Sequence, residues 1–264
     1  MPTMRSVTEL EYQVEAGVAR VTINRPERRN ALSAAVLEGL LEAFTRSRSD
    51  DDVRVVVLSG AGDSAFCAGA DLAAMGDGDG LLAAHDGRGL FPAVLRALWN
   101  LGKPTIARVR GFALAGGFGL AMSCDLVIAA DDAQFGTPEI NVGLWPYMIT
   151  VPLLRSMTPR IALELMLTGR RVDADEANEL GLVNRVVPAD QLDVVVDQLA
   201  ADLAAKSPLV MRLGRDSFYR VLEMRSDDAL DYLRAQLTIT SLSDDAAEGV
   251  RAFLEKRAPE WKGR

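Results

Sequence analysis

Twice in this chain an apolar run breaks at a glycine-bearing turn and resumes as an apolar, helix-compatible segment. The two stretches are Phe66-Cys67-Ala68-Gly69-Ala70-Asp71-Leu72 and Phe112-Ala113-Leu114-Ala115-Gly116-Gly117-Phe118-Gly119-Leu120. A short apolar run bounded by turn residues reads as a strand covered on both sides. Strand, helix, strand recurrence of this kind implies an α/β fold with crossover connections. Each turn also offers backbone N–H groups near a helix N-terminus, where negative charge is favoured. Two such donors converging on one point would make an oxyanion hole.

The remaining pattern supports that class. Tyr12–Glu15 and Val18–Ile23 alternate around Gly17 and predict a hairpin, which Asn24-Arg25-Pro26 ends. Residues 31–48 place Val36, Leu37, Leu40, Leu41 and Phe44 on one helical face. Strands are predicted at 53–59, 104–109 and 126–129, with a further short one at Gln134-Phe135-Gly136, and a helix at 91–101. Asp77-Gly78-Asp79-Gly80 reads as a mobile loop. Segments 173–180, 190–206, 209–224, 227–241 and 246–256 all carry helical spacing, so the C-terminal third is largely helical. A core over 1–195 and a helical region over 196–264, serving assembly and capping of the site, are the expected division.

Composition narrows the partners. A formal net charge of −8 over 264 residues argues against nucleic acid, although a local basic cluster can still hold phosphates. Two cysteines give no disulfide framework, and no run has the length of a membrane span. With no apolar signal core near the start, a cytoplasmic location is expected, with no membrane partner. The single histidine, His85, rules out a His–His metal pair, and no metal constellation is present. His85 reads as a solvent-facing loop residue, and Cys67 and Cys124 read as small packing residues.

Beyond composition, the chain resembles the crotonase superfamily, the enoyl-CoA hydratase/isomerase fold, over nearly its whole length. The resemblance rests on Asn24-Arg25-Pro26 with Asn30-Ala31-Leu32, on Phe66–Leu72, on Gly111–Asp125 and on Phe135-Gly136-Thr137-Pro138-Glu139. It continues through Leu167–Arg170, Ala177–Val183 and Glu248–Arg257. It implies a spiral of ββα units followed by a C-terminal helical trimerisation region, with homotrimers or dimers of trimers. It implies an acyl-CoA thioester as substrate, so that coenzyme A arrives with the substrate and no separate cofactor is needed. It places the oxyanion donors at the backbone N–H groups of Ala70 and Gly116, and the carboxylate that exchanges the α-proton at Glu139. Ala68, Asp71, Leu72 and Gly117 border that site. Arg28 and Arg29 match the region that meets the CoA nucleotide, and Phe253 and Lys256 match a pair that reaches a neighbouring subunit's adenine.

Three departures qualify the resemblance. Gly119 stands where two-glutamate hydratases carry their second glutamate, and glycine cannot place or activate water. Trp145, Tyr147 and Met148 stand where such enzymes have a Gly-Gly-Thr-rich turn, which points to a reshaped acyl pocket. Ala73 stands where relatives often have a phosphate-binding lysine. The expected function is an enoyl-CoA hydratase/isomerase-type enzyme in which one glutamate moves the α-proton. The alternatives are a Δ3,Δ2-enoyl-CoA isomerase without hydratase activity and a non-catalytic acyl-CoA-binding relative.

Overall fold

The computed structural model describes residues 9–71 and 85–264, so Leu72, Ala73 and the 77–80 loop lie outside the described residues. The chain opens with the expected hairpin, β1 (Leu10–Glu15) antiparallel to β2 (Val18–Ile23). Its two-residue turn puts both Ala16 (φ 49°) and Gly17 (φ 81°) in the left-handed region, the twist that matches flanking strands. Helix α1 (Ala34–Ser49) comes next, with the Ser33 hydroxyl accepting from the Val36 N–H as its N-cap.

A strand-pair pattern then repeats. β3 (Val55–Gly60) leads to β4 (Ala65–Cys67) and helix α2 (Leu90–Trp99). β5 (Thr105–Val109) leads to β6 (Phe112–Leu114) and helix α3 (Gly116–Ala121). β7 (Leu126–Ala130) leads to β8 (Gln134–Gly136), a 3₁₀ turn (Pro138–Val142) and helices α4 (Thr150–Ser156) and α5 (Pro159–Thr168). The first strand of each pair joins a six-stranded sheet, completed by β10 (Arg185–Val187), in the order β1-β2-β3-β5-β7-β10. The second joins a four-stranded sheet, completed by β9 (Arg171–Asp173), in the order β4-β6-β8-β9. This is the ββα spiral expected from the sequence.

Period-two alternation explains why the large sheet is covered on both faces. Val56 and Leu58 of β3 face the main core with Val36, Leu40, Phe44, Val94 and Leu98 of α1 and α2. Val55 and Val57 face the other way, under Leu192, Val196 and Ala200 of α7 (Leu192–Ala204). A division at 195/196 therefore falls inside a helix that packs on the sheet, α6 (Ala174–Glu179) being the last helix before it.

Helices α8 (Pro208–Val221), α9 (Ser226–Ser241) and α10 (Asp244–Glu255) complete the chain. The buried Asp245 carboxylate accepts from the Ser207 hydroxyl at 2.5 Å and from the Lys262 and Gly263 N–H groups, which pins the C-terminal tail to α10. Among the described residues no helix is long and apolar enough to cross a membrane.

Candidate active site

The two glycine turns end neighbouring parallel strands of the small sheet, since β4 pairs with β6. Sheet adjacency alone therefore brings them together. A Cβ built on Gly69 would lie 2.6 Å from Ala115 Cβ and 3.2 Å from the Gly116 nitrogen. One built on Gly117 would lie 2.7 Å from the Cys67 carbonyl carbon and 2.8 Å from Cys67 Cβ, so α3 rests directly on the β4 backbone. Only glycine permits these approaches.

Backbone geometry frees the two expected donors. Ala70 sits in an isolated parallel bridge with Leu32. The bridge bonds run from Leu32 N–H to the Gly69 carbonyl at 2.8 Å and from Asp71 N–H to the Leu32 carbonyl at 3.1 Å. They straddle Ala70, so its own N–H points away from Leu32. Gly116 is the first residue of α3, where an N–H has no intrahelical acceptor. Ala115 before it holds φ 50° and ψ −125°, an unusual conformation for a residue with a Cβ. Its N–H donates to the Gly136 carbonyl at 2.9 Å, and its carbonyl accepts from Gly119 N–H at 3.1 Å. These bonds hold the strain in place and turn Gly116 N–H outward.

Gly69 itself has φ +97°. Gly69→Ala adds both backbone strain and the Ala115 clash. It is expected to destabilise the fold by about 1–3 kcal/mol in urea unfolding. Gly62→Ala, also at positive φ but with only Pro26 Cβ nearby at 3.5 Å, should cost less.

Glu139 is placed by the same strand order. β8 pairs with β6, and Gly136, which holds Ala115, lies three residues before it. Pro138 starts the 3₁₀ turn, and the fully buried Thr137 hydroxyl donates to the Leu165 carbonyl at 2.8 Å, tying the turn to α5. Glu139 is half-buried. Its Oε2 is fully buried with no hydrogen-bond partner among the described residues. Burial raises its pKa above the ordinary carboxylate value, partly offset by its own backbone N–H. A buried carboxylate oxygen without a partner is costly, and suits a group kept for a reacting molecule.

The space over Gly119 is occupied. A Cβ built there would lie 2.7 Å from Ile149 Cβ and closer still to Ile149 Cγ2. Ile149 is 3% exposed and precedes α4. The sequence pointed to the missing side chain at 119, but carried no signal that an isoleucine thirty residues on fills its place. Trp145 packs against the main core, whereas Tyr147 is 77% exposed.

The nucleotide-side residues are spread out. Arg28 ends a 3₁₀ turn (Pro26–Arg28), and Arg29 and Asn30 come after it with φ 51° and 55°. The fully buried Asn30 side chain holds this turn, donating to the Ala61 and Ala65 carbonyls at 3.0 and 2.7 Å. The Arg29 carbonyl accepts from Ala68 N–H at 3.0 Å, which sets the exposed Arg29 beside the first glycine turn. Asp71 pairs with Arg25 at 3.0 Å, and Arg25 also donates to the Ala31 carbonyl at 2.9 Å. Phe253 is 82% exposed, and Lys256 ends α10 in the left-handed conformation. Among the described residues no hydrogen bond or ion pair joins either to the two turns.

His85 is exposed. Burial pushes the Cys67 thiol up to about 12, and raises that of Cys124 as well, so neither supplies a thiolate at neutral pH.

The same fold and related sequences recur among known proteins. A family model described as enoyl-CoA hydratase/isomerase matches residues 13–264. A carnitinyl-CoA dehydratase of Proteus mirabilis is 36% identical over 260 residues, covering 97% of this chain and 98% of the relative. A probable enoyl-CoA hydratase of Mycobacterium bovis is 39% identical over 252 residues, covering 94% of this chain and 95% of the relative. The crystal structure of an enoyl-CoA hydratase from Mycobacterium smegmatis superposes with a TM-score of 0.92 at 39% identity, covering 96% of this chain and 98% of that one.

Proposed function

Because the chain belongs to the enoyl-CoA hydratase/isomerase family, we propose that it is an enzyme of acyl-CoA thioesters that moves a proton at the carbon next to the thioester. Hydration, dehydration and double-bond migration beside a thioester all include such a transfer. Glu139 is the base and acid in this reading. Removing the α-proton forms an O–H bond on Glu139 and breaks the C–H bond, and the electron pair moves onto the thioester oxygen. The N–H groups of Ala70 and Gly116 donate to that oxygen. Each donor of this kind is worth about 3–4 kcal/mol in the transition state.

The observation that carries the reading is the buried Oε2 of Glu139, which has no hydrogen-bond partner among the described residues, on a turn tethered through Gly136 to Ala115. Arg28 and Arg29 then take the phosphates of coenzyme A. Phe253 and Lys256 meet the adenine of a site on a neighbouring copy, in a homotrimer or a dimer of trimers. Phe218, Leu222, Leu230, Leu237 and Leu242 on α8, α9 and the turns that end them are exposed apolar residues available for such assembly.

The test is deuterium uptake at the α-carbon of a saturated acyl-CoA in deuterated water, which needs no double bond. Exchange is expected. Its rate should fall toward low pH with a midpoint above that of an ordinary carboxyl, because burial keeps Glu139 protonated, and so inactive as a base, to higher pH than an exposed carboxyl. Absence of exchange at every pH sinks the proposal.

A further inference from the structure

We propose that the corner between α5 and β9 is the seat of Glu139, and that Thr137 and Gly169 act through it as positioning residues for proton transfer. The inference rests on the proton-transfer reading of Glu139 and names what aims that group.

A base must be held within reach of the proton that it takes. Among the described residues no hydrogen bond or ion pair from another side chain aims the Glu139 carboxylate, and its Oε2 has no partner at all. Its position is therefore set by the 3₁₀ turn that carries it. In that turn Gly143 N–H donates to the Ile140 carbonyl at 3.2 Å, and Leu144 N–H donates to the Glu139 carbonyl at 3.0 Å. These bonds shape the turn but do not fix it against the rest of the molecule.

Residues 165–171 supply that fixing at three places. In β9, Arg171 pairs with Gly136, and a Cβ built on Gly136 would lie 3.0 Å from the Arg170 carbonyl oxygen, so the two backbones run close together. Near the end of α5, the Leu165 carbonyl accepts from Gly169 N–H at 2.9 Å and from the Thr137 hydroxyl at 2.8 Å. Both lone pairs of that oxygen are then used. Just past α5, Gly169 holds φ +62°, and a Cβ built there would lie 2.8 Å from Ile140 Cγ2 and 2.8 Å from Asn141 Nδ2. The corner thus grips the chain on both sides of Glu139. Arg170 braces it from outside, pairing with Glu164 of α5 and with Glu176 of α6, each at 2.8 Å.

A displacement of about 1 Å can cost a reacting group about 10²-fold in rate. Removing the Thr137 hydroxyl unties the turn before Glu139. Adding a methyl at 169 presses on Ile140, the residue after it. Ala70 and Gly116 lie on other segments, so thioester binding should be spared.

The experiment measures α-deuterium exchange on a saturated acyl-CoA, with kcat and KM read separately, and the urea midpoint of each variant. Thr137→Val keeps the shape of the side chain without its hydroxyl. It is expected to lower kcat about 10–100-fold and to leave KM within about twofold. Thr137→Ser keeps the hydroxyl and should return kcat to within about threefold of the wild type. Gly169→Ala should lower kcat about 10-fold. Gly181→Ala is the control for backbone strain, because Gly181 holds φ +74° with nothing within 4 Å of a built Cβ. It should lose stability as other left-handed positions do, yet keep the wild-type kcat.

A wild-type kcat in Thr137→Val overturns the inference, as does a loss that appears in KM instead of kcat. So does a Thr137→Ser variant as slow as Thr137→Val, or a Gly181→Ala variant that loses as much kcat as Gly169→Ala. If one of positions 137 and 169 yields no folded variant, the other decides the outcome. Exchange retained by Glu139→Gln, or absent from the wild type, overturns the underlying function instead.

Discussion

Glu139→Gln is expected to cut α-proton exchange and turnover by about 10²–10⁴-fold, the usual contribution of a positioned general acid–base group. The substitution keeps size and shape. Arg28, Arg29 and both glycine turns lie on other segments, so thioester affinity should stay near that of the wild type.

Its effect on stability should run the other way. The folded-state pKa of Glu139 is raised by burial, so below the ordinary carboxyl pKa the group carries no ionisation penalty. As pH rises through the folded value, the ionised form loses solvation with one oxygen lacking a partner among the described residues, and stability is lost. At pH 7 the neutral amide should therefore be no less stable than the wild type in urea unfolding. A variant that keeps its turnover, or one that unfolds much more easily, contradicts the role given to Glu139.

Arg215→Ala is expected to cost about 3–5 kcal/mol, a large share of the total stability of a domain. Arg215 is 8% exposed although it lies on α8, in the helical third of the chain. Its Nε donates to Asp125 Oδ2 at 2.8 Å, and its Nη1 and Nη2 donate to the Trp99 and Leu98 carbonyls at 2.9 and 2.8 Å. One guanidinium thus caps the C-terminus of α2 and neutralises a carboxylate that also accepts from Thr105 N–H and from the Tyr219 hydroxyl at 2.6 Å. The guanidinium also stacks on the Tyr219 ring at 4.8 Å.

Removing it leaves a largely buried Asp125 short of its cation and two helix-end carbonyls without donors. Burial, and next the Asp125 charge, raise the Tyr219 hydroxyl above its ordinary pKa, so it stays a neutral donor and cannot replace the cation. Arg215→Lys keeps the charge but not the fork, and should fall between the two. The measurement is the urea midpoint at constant slope. A loss under about 1 kcal/mol means that the helical region is held to the core by other contacts.

Much of the candidate site's local structure was legible in the sequence because its parts are local. Gly69, Gly116 and Gly117 mark places where no Cβ fits, and such places leave glycines behind. The strand–turn–helix pattern and Glu139 after Phe135-Gly136-Thr137-Pro138 are also carried on short segments. The amphipathic helices of the last third were readable from their spacing, with ends shifted by a few residues. The short helices at 150–168 and the strands β9 and β10 were not foreseen, since segments of three to ten residues carry too little periodicity.

What escaped the sequence is what depends on distant residues meeting. Arg215 and Asp125 are 90 positions apart, and a basic residue on a polar helix looks like ordinary surface until the helix is docked. Asp71 read as a turn or substrate-side residue, and its pairing with Arg25 spans 46 positions. Gly119 announced a missing side chain, yet only packing revealed that Ile149 fills the gap.

The sequence by itself determined the two glycine turns, because backbone conformation at a glycine is set by its own φ and nearest atoms. It also determined that Glu139 comes three residues after the third strand pair. Tertiary structure alone decided that the two turns abut, that Glu139 keeps a buried oxygen with no partner among the described residues, and that Ile149 fills the space beside Gly119. Those are properties of volume and solvation, fixed by which side chains share a space rather than by which residues share a segment.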